Sequence, residues 1–189
     1  GKGSMGNRKR NIAIAGIGEI GEYLATRFAR DGHNVTLIDE SRERLSLLEE
    51  TLDVSLCEGH AGDTRVLRQS GIRDVDVFVA TSNRDDVNVL AALKARSLGA
   101  RKVVALVRET AYCDEPTGIY RDWMNIDLVL NTRFLVAHEI DKLIRTRGAL
   151  AVEDFAENRI EMIQYQVDPK GGFTERTLGA LSLPSECLV

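Results

Sequence analysis

Apolar and polar positions along the chain alternate between two rhythms. Short apolar runs occupy Ile12–Ala15, Val35–Ile38, Asp53–Cys57, Val75–Ala80, Lys102–Val107 and Asp127–Leu130. Runs this short, with little polar interruption, are what strands buried on both faces of a parallel sheet show. Between them the spacing is helical. Ile20, Leu24 and Phe28 recur four residues apart, and Leu45, Leu48 and Leu52 follow Ser41, an N-cap residue. Asp63 or Thr64 can cap a helix through Leu67 that Gly71 ends, and a helix from Asp85 to Leu98 stops at Gly99. This alternation predicts an α/β fold, a doubly wound parallel sheet of six strands.

The rhythm breaks over residues 109–126. There Glu115-Pro116-Thr117-Gly118 reads as a turn and Ile119–Met124 as a short helix. Asn131 or Thr132 then caps a helix carrying Phe134, Ala137, Ile140 and Ile144, with Leu135, Val136 and Leu143 widening its apolar surface. A helix apolar on more than one face needs more than one packing partner. Residues 132–145 are therefore expected to make a homodimer or higher homo-oligomer, the alternative being that they cover only their own sheet. Beyond Gly148 the pattern changes. Arg159–Val167 alternates like a strand, Asp168-Pro169-Lys170-Gly171-Gly172 is turn chemistry, and Leu178, Leu181 and Leu183 suggest a short helix or turn ending at Pro184. A boundary near 147–150 separates one domain, 5–147, from a piece, 148–189, too short for an ordinary independent domain. That piece either stops short of a full domain or docks on something else. Gly1–Ser4, ahead of Met5, reads as a cloning scar.

The chemistry concentrates between Asn11 and Asp39. After the first strand, Gly16, Gly18 and Gly21 stand at G-x-G-x-x-G spacing and open a helix, and the second strand ends in Asp39. Strand, glycine loop, helix, strand and acid together make the βαβ dinucleotide fingerprint of a Rossmann-like fold. Gly16 permits the tight turn, Gly18 lets backbone approach a pyrophosphate, and Gly21 lets the helix pack close to the strand. The helix start offers free N–H groups to phosphate, and Asp39 can accept hydrogen bonds from a ribose.

Composition narrows the classes. The chain has 189 residues, 43% hydrophobic and 29% charged, with a net charge of −4. That balance suits a domain with a real core and gives no electrostatic reason to expect nucleic-acid binding. Three cysteines without CxxC spacing favour a reducing compartment over a disulfide framework. No apolar run reaches the ~18 residues of a membrane span, so no membrane insertion is expected. No Cys/His cluster suggests a metal, and no G-x-S-x-G, HExxH or P-loop motif occurs. The region after residue 150 holds no histidine and no defensible pair of acids, so an oxidoreductase would lack its substrate domain.

The order GIGEIG, VTLID, CEGHAGD, VFVATSN and ALVR resembles the RCK or KTN domain, most closely that of the TrkA type. The resemblance extends into GALAVEDFAENRIEMIQYQV, similar to the entry of a small α+β RCK-C (TrkA-C) domain. It implies a regulator, not an enzyme: a cytoplasmic subunit peripheral to the inner face of the membrane, which gates a separate potassium transporter of Trk or Ktr type. Carried over by position, Gly16, Gly18, Glu19, Ile20 and Gly21 make the phosphate loop and Asp39 the ribose acid. His60 and Ala61 line the adenine pocket, Thr81 and Asn83 the far half of the site, and Arg108 could reach a phosphate. Some ATP-binding relatives carry Arg where this chain has Glu19. A carboxylate there repels a terminal phosphate, by roughly 4 kcal/mol at 4 Å and an effective dielectric of 20 before solvent screening. Asp39 and Glu40 disfavour the 2′-phosphate of NADP, although Arg42 offers a way round. NAD(H) is the expected ligand, with ADP or ATP as the alternative.

Overall fold

The computed structural model describes residues 8–112, 119–145, 149–155, 160–165 and 177. Two compact units emerge, Gly1–Leu135 and Val136–Val189. The first contains β1 (Asn11–Ala15), α1 (Glu19–Arg30), β2 (Asn34–Asp39), α2 (Arg42–Glu49), β3 (Ser55–Glu58), α3 (Thr64–Gln69), β4 (Val77–Ala80), α4 (Asp85–Leu98), β5 (Lys102–Val107), β6 (Leu128–Asn131) and the start of α5 (Thr132–Arg145). Its six strands are all parallel, in the order β3-β2-β1-β4-β5-β6. The expected six-stranded doubly wound sheet is therefore present, and the strand order reverses between β1 and β4.

Successive side chains of β1 serve opposite faces. Ile12 and Ile14 join Val35 and Leu37 of β2, Ala25 of α1, and Leu45 and Leu48 of α2. Ala13 and Ala15 join Phe78, Val103, Ala105 and the alanines Ala91, Ala92 and Ala95 of α4. Those alanines let α4 lie close to the sheet over the fully buried Phe78. Burying such a phenylalanine contributes about 1.5–3 kcal/mol.

Several boundaries differ from the hydrophobic pattern. Val75 is buried but lies outside β4, because its N–H bonds Ile72 O in a 3₁₀ turn over Ile72–Asp74. Its carbonyl accepts from Arg101 N at 3.1 Å, just ahead of the ladder between β4 and β5. Asp127 precedes β6. Its carboxylate accepts from Val103 N at 2.7 Å and from the Arg96 guanidinium, anchoring the strand entry through a side chain. Ile119–Trp123 forms a π-helical turn closed by Met124 N to Ile119 O at 2.9 Å. At the other end of the sheet, Asp76 accepts from Asn11 N and Arg101, each at 2.9 Å. The bond from Asn11, then the Arg101 charge, hold its carboxyl below the usual value.

The second unit contains an antiparallel hairpin, β7 (Ala149–Phe155) with β8 (Ile160–Tyr165). The sequence predicted β8 alone. The pairing of β7 with β8 carries a register shift between Ala149 and Ala151. The expected turns at 115–118 and 168–172, the segment 178–184 and the N-terminal residues 1–4 lie outside the described residues, as does most of the region read as an RCK-C domain.

Candidate functional site

The reversal between β1 and β4 sends their following loops to opposite faces and opens a crevice at the carboxyl ends of the strands. A cleft of about 830 Å³ occupies it, within the roughly 300–1,000 Å³ usual for small-molecule sites. Its walls come from the loops after β1, β2, β3 and β4 and from α2.

The glycine loop is shaped by close approach. Gly16 has φ +94°, and a Cβ there would lie 2.4 Å from Ser82 N. A Cβ on Gly21 would lie 2.1 Å from Gly16 O and 2.8 Å from Thr81 Oγ1. Gly18 differs, with no heavy atom within 4 Å of that position, so its face is open to the cleft. It is also the N-cap of α1 and offers no side chain to the first-turn N–H groups. Those groups and the helix dipole favour an anion.

Asp39 ties this loop to β2. Its Oδ2 accepts from Ile17 N at 2.7 Å and its Oδ1 from Ser41 N at 2.8 Å. A carboxylate has about four lone-pair sites, so acceptor capacity remains for hydroxyls. Ser41 caps α2 by accepting from Arg44 N. The loop after β3 is also fixed. Gly59 takes φ +147°, Gly59 N donates to Asp39 O at 2.9 Å, and His60 Nδ1 accepts from Gly62 N at 3.0 Å. Lys94 of α4 donates to Gly62 O. Asp63 caps α3 through Arg65 N, and its bonds from Arg65 lower its pKa.

After β4, Thr81 is buried and its hydroxyl donates to Gly16 O at 2.6 Å. Asn88, 1% exposed, accepts from Ser82 N and Oγ and donates to Ser82 O and Leu106 O. The loop Ser82–Arg84 is thus held from beneath by one buried amide. Asp85, also buried, accepts from Arg108 N and Glu109 N at 2.9 Å each, and its other oxygen lies 3.6 Å from Arg108 Nε.

Gly16, Gly18, Glu19, Asp39, His60, Ala61 and Asn83 line the cleft together. Ile20, Gly21, Thr81 and Arg108 do not. Gly21 and Thr81 pack the loop from below, Ile20 is 41% exposed on α1, and the half-exposed Arg108 guanidinium lies 3.6 Å from Asp85. Arg84, the next residue after Asn83, is the N-cap of α4. Sequence reasoning missed Asn88 and Asp85 as supports, and Glu22, Arg44, Leu47 and Arg84 as lining residues. An asparagine within the apolar face Val87, Ala91, Ala92 and Ala95 was the available signal, since a buried amide must find partners.

The cleft is lined by the acids Glu19, Glu22, Asp39 and Glu40 and by the bases Arg44 and Arg84. Arg84 is paired with Asp86 at 2.9 Å, and this bond lowers the Asp86 pKa. Arg42 is drawn to Glu58 at 3.2 Å. Among the described residues no group of three or more His, Cys, Asp or Glu could hold a metal.

Residues 12–131 match the TrkA-N domain family. The chain belongs to that family. In sequence this TrkA-N chain is 33% identical over 178 residues to the Trk system potassium uptake protein TrkA homolog of Archaeoglobus fulgidus, covering 94% of the chain and 40% of that relative. It therefore spans about two fifths of the relative's length. In structure it is similar to the GsuK channel bound to NAD, with a TM-score of 0.63 and 19% identity over 80% of this chain and 26% of that one. It is also similar to GsuK bound to ADP, with a TM-score of 0.54 and 21% identity over 66% and 32% of the two chains. At these identities the two structures show a shared fold.

Proposed function

We propose that the chain is the nucleotide-sensing part of a TrkA-type regulator. It binds NAD(H) in the β1/β4 cleft and thereby biases a membrane potassium transporter of Trk or Ktr type from the cytoplasmic side. The observation that carries this reading is Asp39, an anchored carboxylate beside an uncapped helix N-terminus at the point where strand order reverses. Phosphates would meet the open face of Gly18, and a ribose would meet Asp39. The relatives support the regulatory purpose: one is a TrkA homolog, and the GsuK channel shares the fold in complexes with NAD and with ADP. Glu19 and Glu22 at the mouth weigh against a triphosphate, so ADP and ATP stand as the alternative ligands. No helix of the described residues is long and apolar enough to cross a membrane.

The site is read as sensing rather than catalytic. Among the described lining residues, no hydroxyl is hydrogen-bonded to a histidine or carboxylate; the Ser82 hydroxyl goes to Asn88. Incubation with NADH and simple carbonyl compounds is expected to leave NADH absorbance constant over hours. Protein-dependent turnover would make the chain an oxidoreductase.

A sensor transmits through a second body, because a ligand shifts an equilibrium only by its differential affinity for two states. α5 supplies an apolar surface for a second copy: Phe134, Val136, Ile140 and Ile144 are all more than half exposed. Light scattering is expected to find a dimer. A strict monomer at high concentration removes this role for residues 132–145.

A further inference from the structure

The carboxamide of Asn88 is wholly engaged by one loop and the strand beside it. Its Oδ1 accepts from Ser82 N at 2.9 Å and from Ser82 Oγ at 2.6 Å. Its Nδ2 donates to Ser82 O at 2.9 Å and to Leu106 O of β5 at 2.8 Å. These bonds use both lone pairs and both N–H groups of the amide. They also admit a single orientation, because a flipped amide would set its nitrogen against Ser82 N and its oxygen against two carbonyls. The same residue closes the first turn of α4, Asn88 N donating to Arg84 O at 3.0 Å. The loop Ser82–Arg84 is therefore gripped at its start by the Asn88 side chain and at its end by the helix.

Asn83 lies between those two grips. It is exposed, lines the cleft, and its side chain makes no hydrogen bond among the described residues. Topology says which part of a ligand reaches it. The glycine loop follows β1 and Asp39 ends β2, so a mononucleotide is served on the side of the sheet where β1, β2 and β3 are neighbours. β4 is the neighbour of β1 on the other side. A dinucleotide bridges the crevice, and its second nucleoside comes to the loop after β4.

We infer that Asn88 is a positioning residue for dinucleotide recognition: acting through Ser82, it holds the Asn83 amide where the second nucleoside lies. Asn88 touches no ligand itself, being 1% exposed and absent from the lining of the cleft. Its contribution is to order the loop in advance, so that a hydrogen bond to Asn83 carries no ordering cost on binding. This assignment rests on the nucleotide reading of the cleft and adds to it the device that separates dinucleotides from mononucleotides.

The test is calorimetry with NADH and with AMP on the full chain, on Asn83→Ala, on Asn88→Asp and on the double variant. Asn88→Asp keeps the shape and the two accepting positions but removes both donors, which frees Ser82 O and Leu106 O. It is expected to weaken NADH about tenfold, roughly the worth of one hydrogen bond, and to leave AMP within about twofold of wild type. Asn83→Ala should give the same pattern. The double variant should lose no more NADH affinity than the weaker-binding single variant, because both changes remove one and the same contact. Titrations are made well below the melting temperature of Asn88→Asp, and Asn83→Ala, an exposed change, decides the matter by itself should that variant not fold. Equal losses for NADH and AMP in Asn88→Asp, an unchanged ratio of the two affinities in Asn83→Ala, or losses that multiply in the double variant would each overturn the assignment. Failure of the wild-type chain to bind either ligand would instead remove the nucleotide reading itself, and the positioning role with it.

Discussion

Gly21→Ala is expected to cost about 2–4 kcal/mol of stability and to abolish measurable nucleotide binding. The added methyl would lie 2.1 Å from the Gly16 carbonyl oxygen and 2.8 Å from Thr81 Oγ1. The first of these atoms is backbone, fixed by Gly16 N bonding Ile38 O at 2.8 Å, so α1 must back away from β1. That movement would loosen the packing of Ala25 and Ile17 against Ile14 and Leu37. It would also break the bond from Thr81 to Gly16 O that joins the two loops of the crevice. Gly32→Ala is the control. Gly32 also has positive φ, +83°, but nothing lies within 4 Å of its Cβ position, and it sits in the turn entering β2, at the other end of that strand from Asp39. It should cost only about 1–2 kcal/mol of backbone strain and leave binding intact. Urea denaturation and calorimetry on both variants separate the two cases. Wild-type affinity in Gly21→Ala would show that loop closure does not depend on this contact.

Asp39→Ala is expected to weaken NADH binding about 100-fold. Two charge-assisted hydrogen bonds to ribose hydroxyls are worth about 1.5–3 kcal/mol each in favourable cases, and about 2.7 kcal/mol corresponds to that factor. The carboxylate has a second task, since the amides of Ile17 and Ser41 lose their acceptor when it is removed. Asp39→Asn should therefore be milder, because its amide oxygen can still accept one of those bonds. Calorimetry with NADH on both variants checks the order. Equal affinity in wild type and Asp39→Ala would remove Asp39 from the site.

What was legible in the sequence follows from the range of the forces involved. The glycine loop and the acid after β2 are local consequences of backbone geometry, so spacing alone revealed them. The six strands declared themselves because both faces of the sheet are covered. The supports of the β4 loop were not legible. Asn88 reaches Leu106 O, and Asp85 reaches the amides of Arg108 and Glu109, across 18 to 24 residues of sequence. No local pattern records such bonds. Arg108 reads as a phosphate ligand because it follows a parallel strand; the structure places its guanidinium 3.6 Å from Asp85 and outside the lining of the cleft. The bond from the Thr81 hydroxyl to Gly16 O spans 65 residues and was equally invisible to local pattern. Leu47 was overlooked because helical periodicity assigns the face bearing Leu45 and Leu48 to the core, and says nothing of a leucine facing a cleft.

Calorimetric titration of the unmodified chain with NADH, NAD⁺, ADP and ATP tests the central claim most directly. The account predicts saturable binding of NADH or NAD⁺, tighter than that of ATP, because Asp39 receives the ribose while Glu19 and Glu22 stand against a terminal phosphate. No binding of any of the four, or a clear preference for ATP, would contradict it.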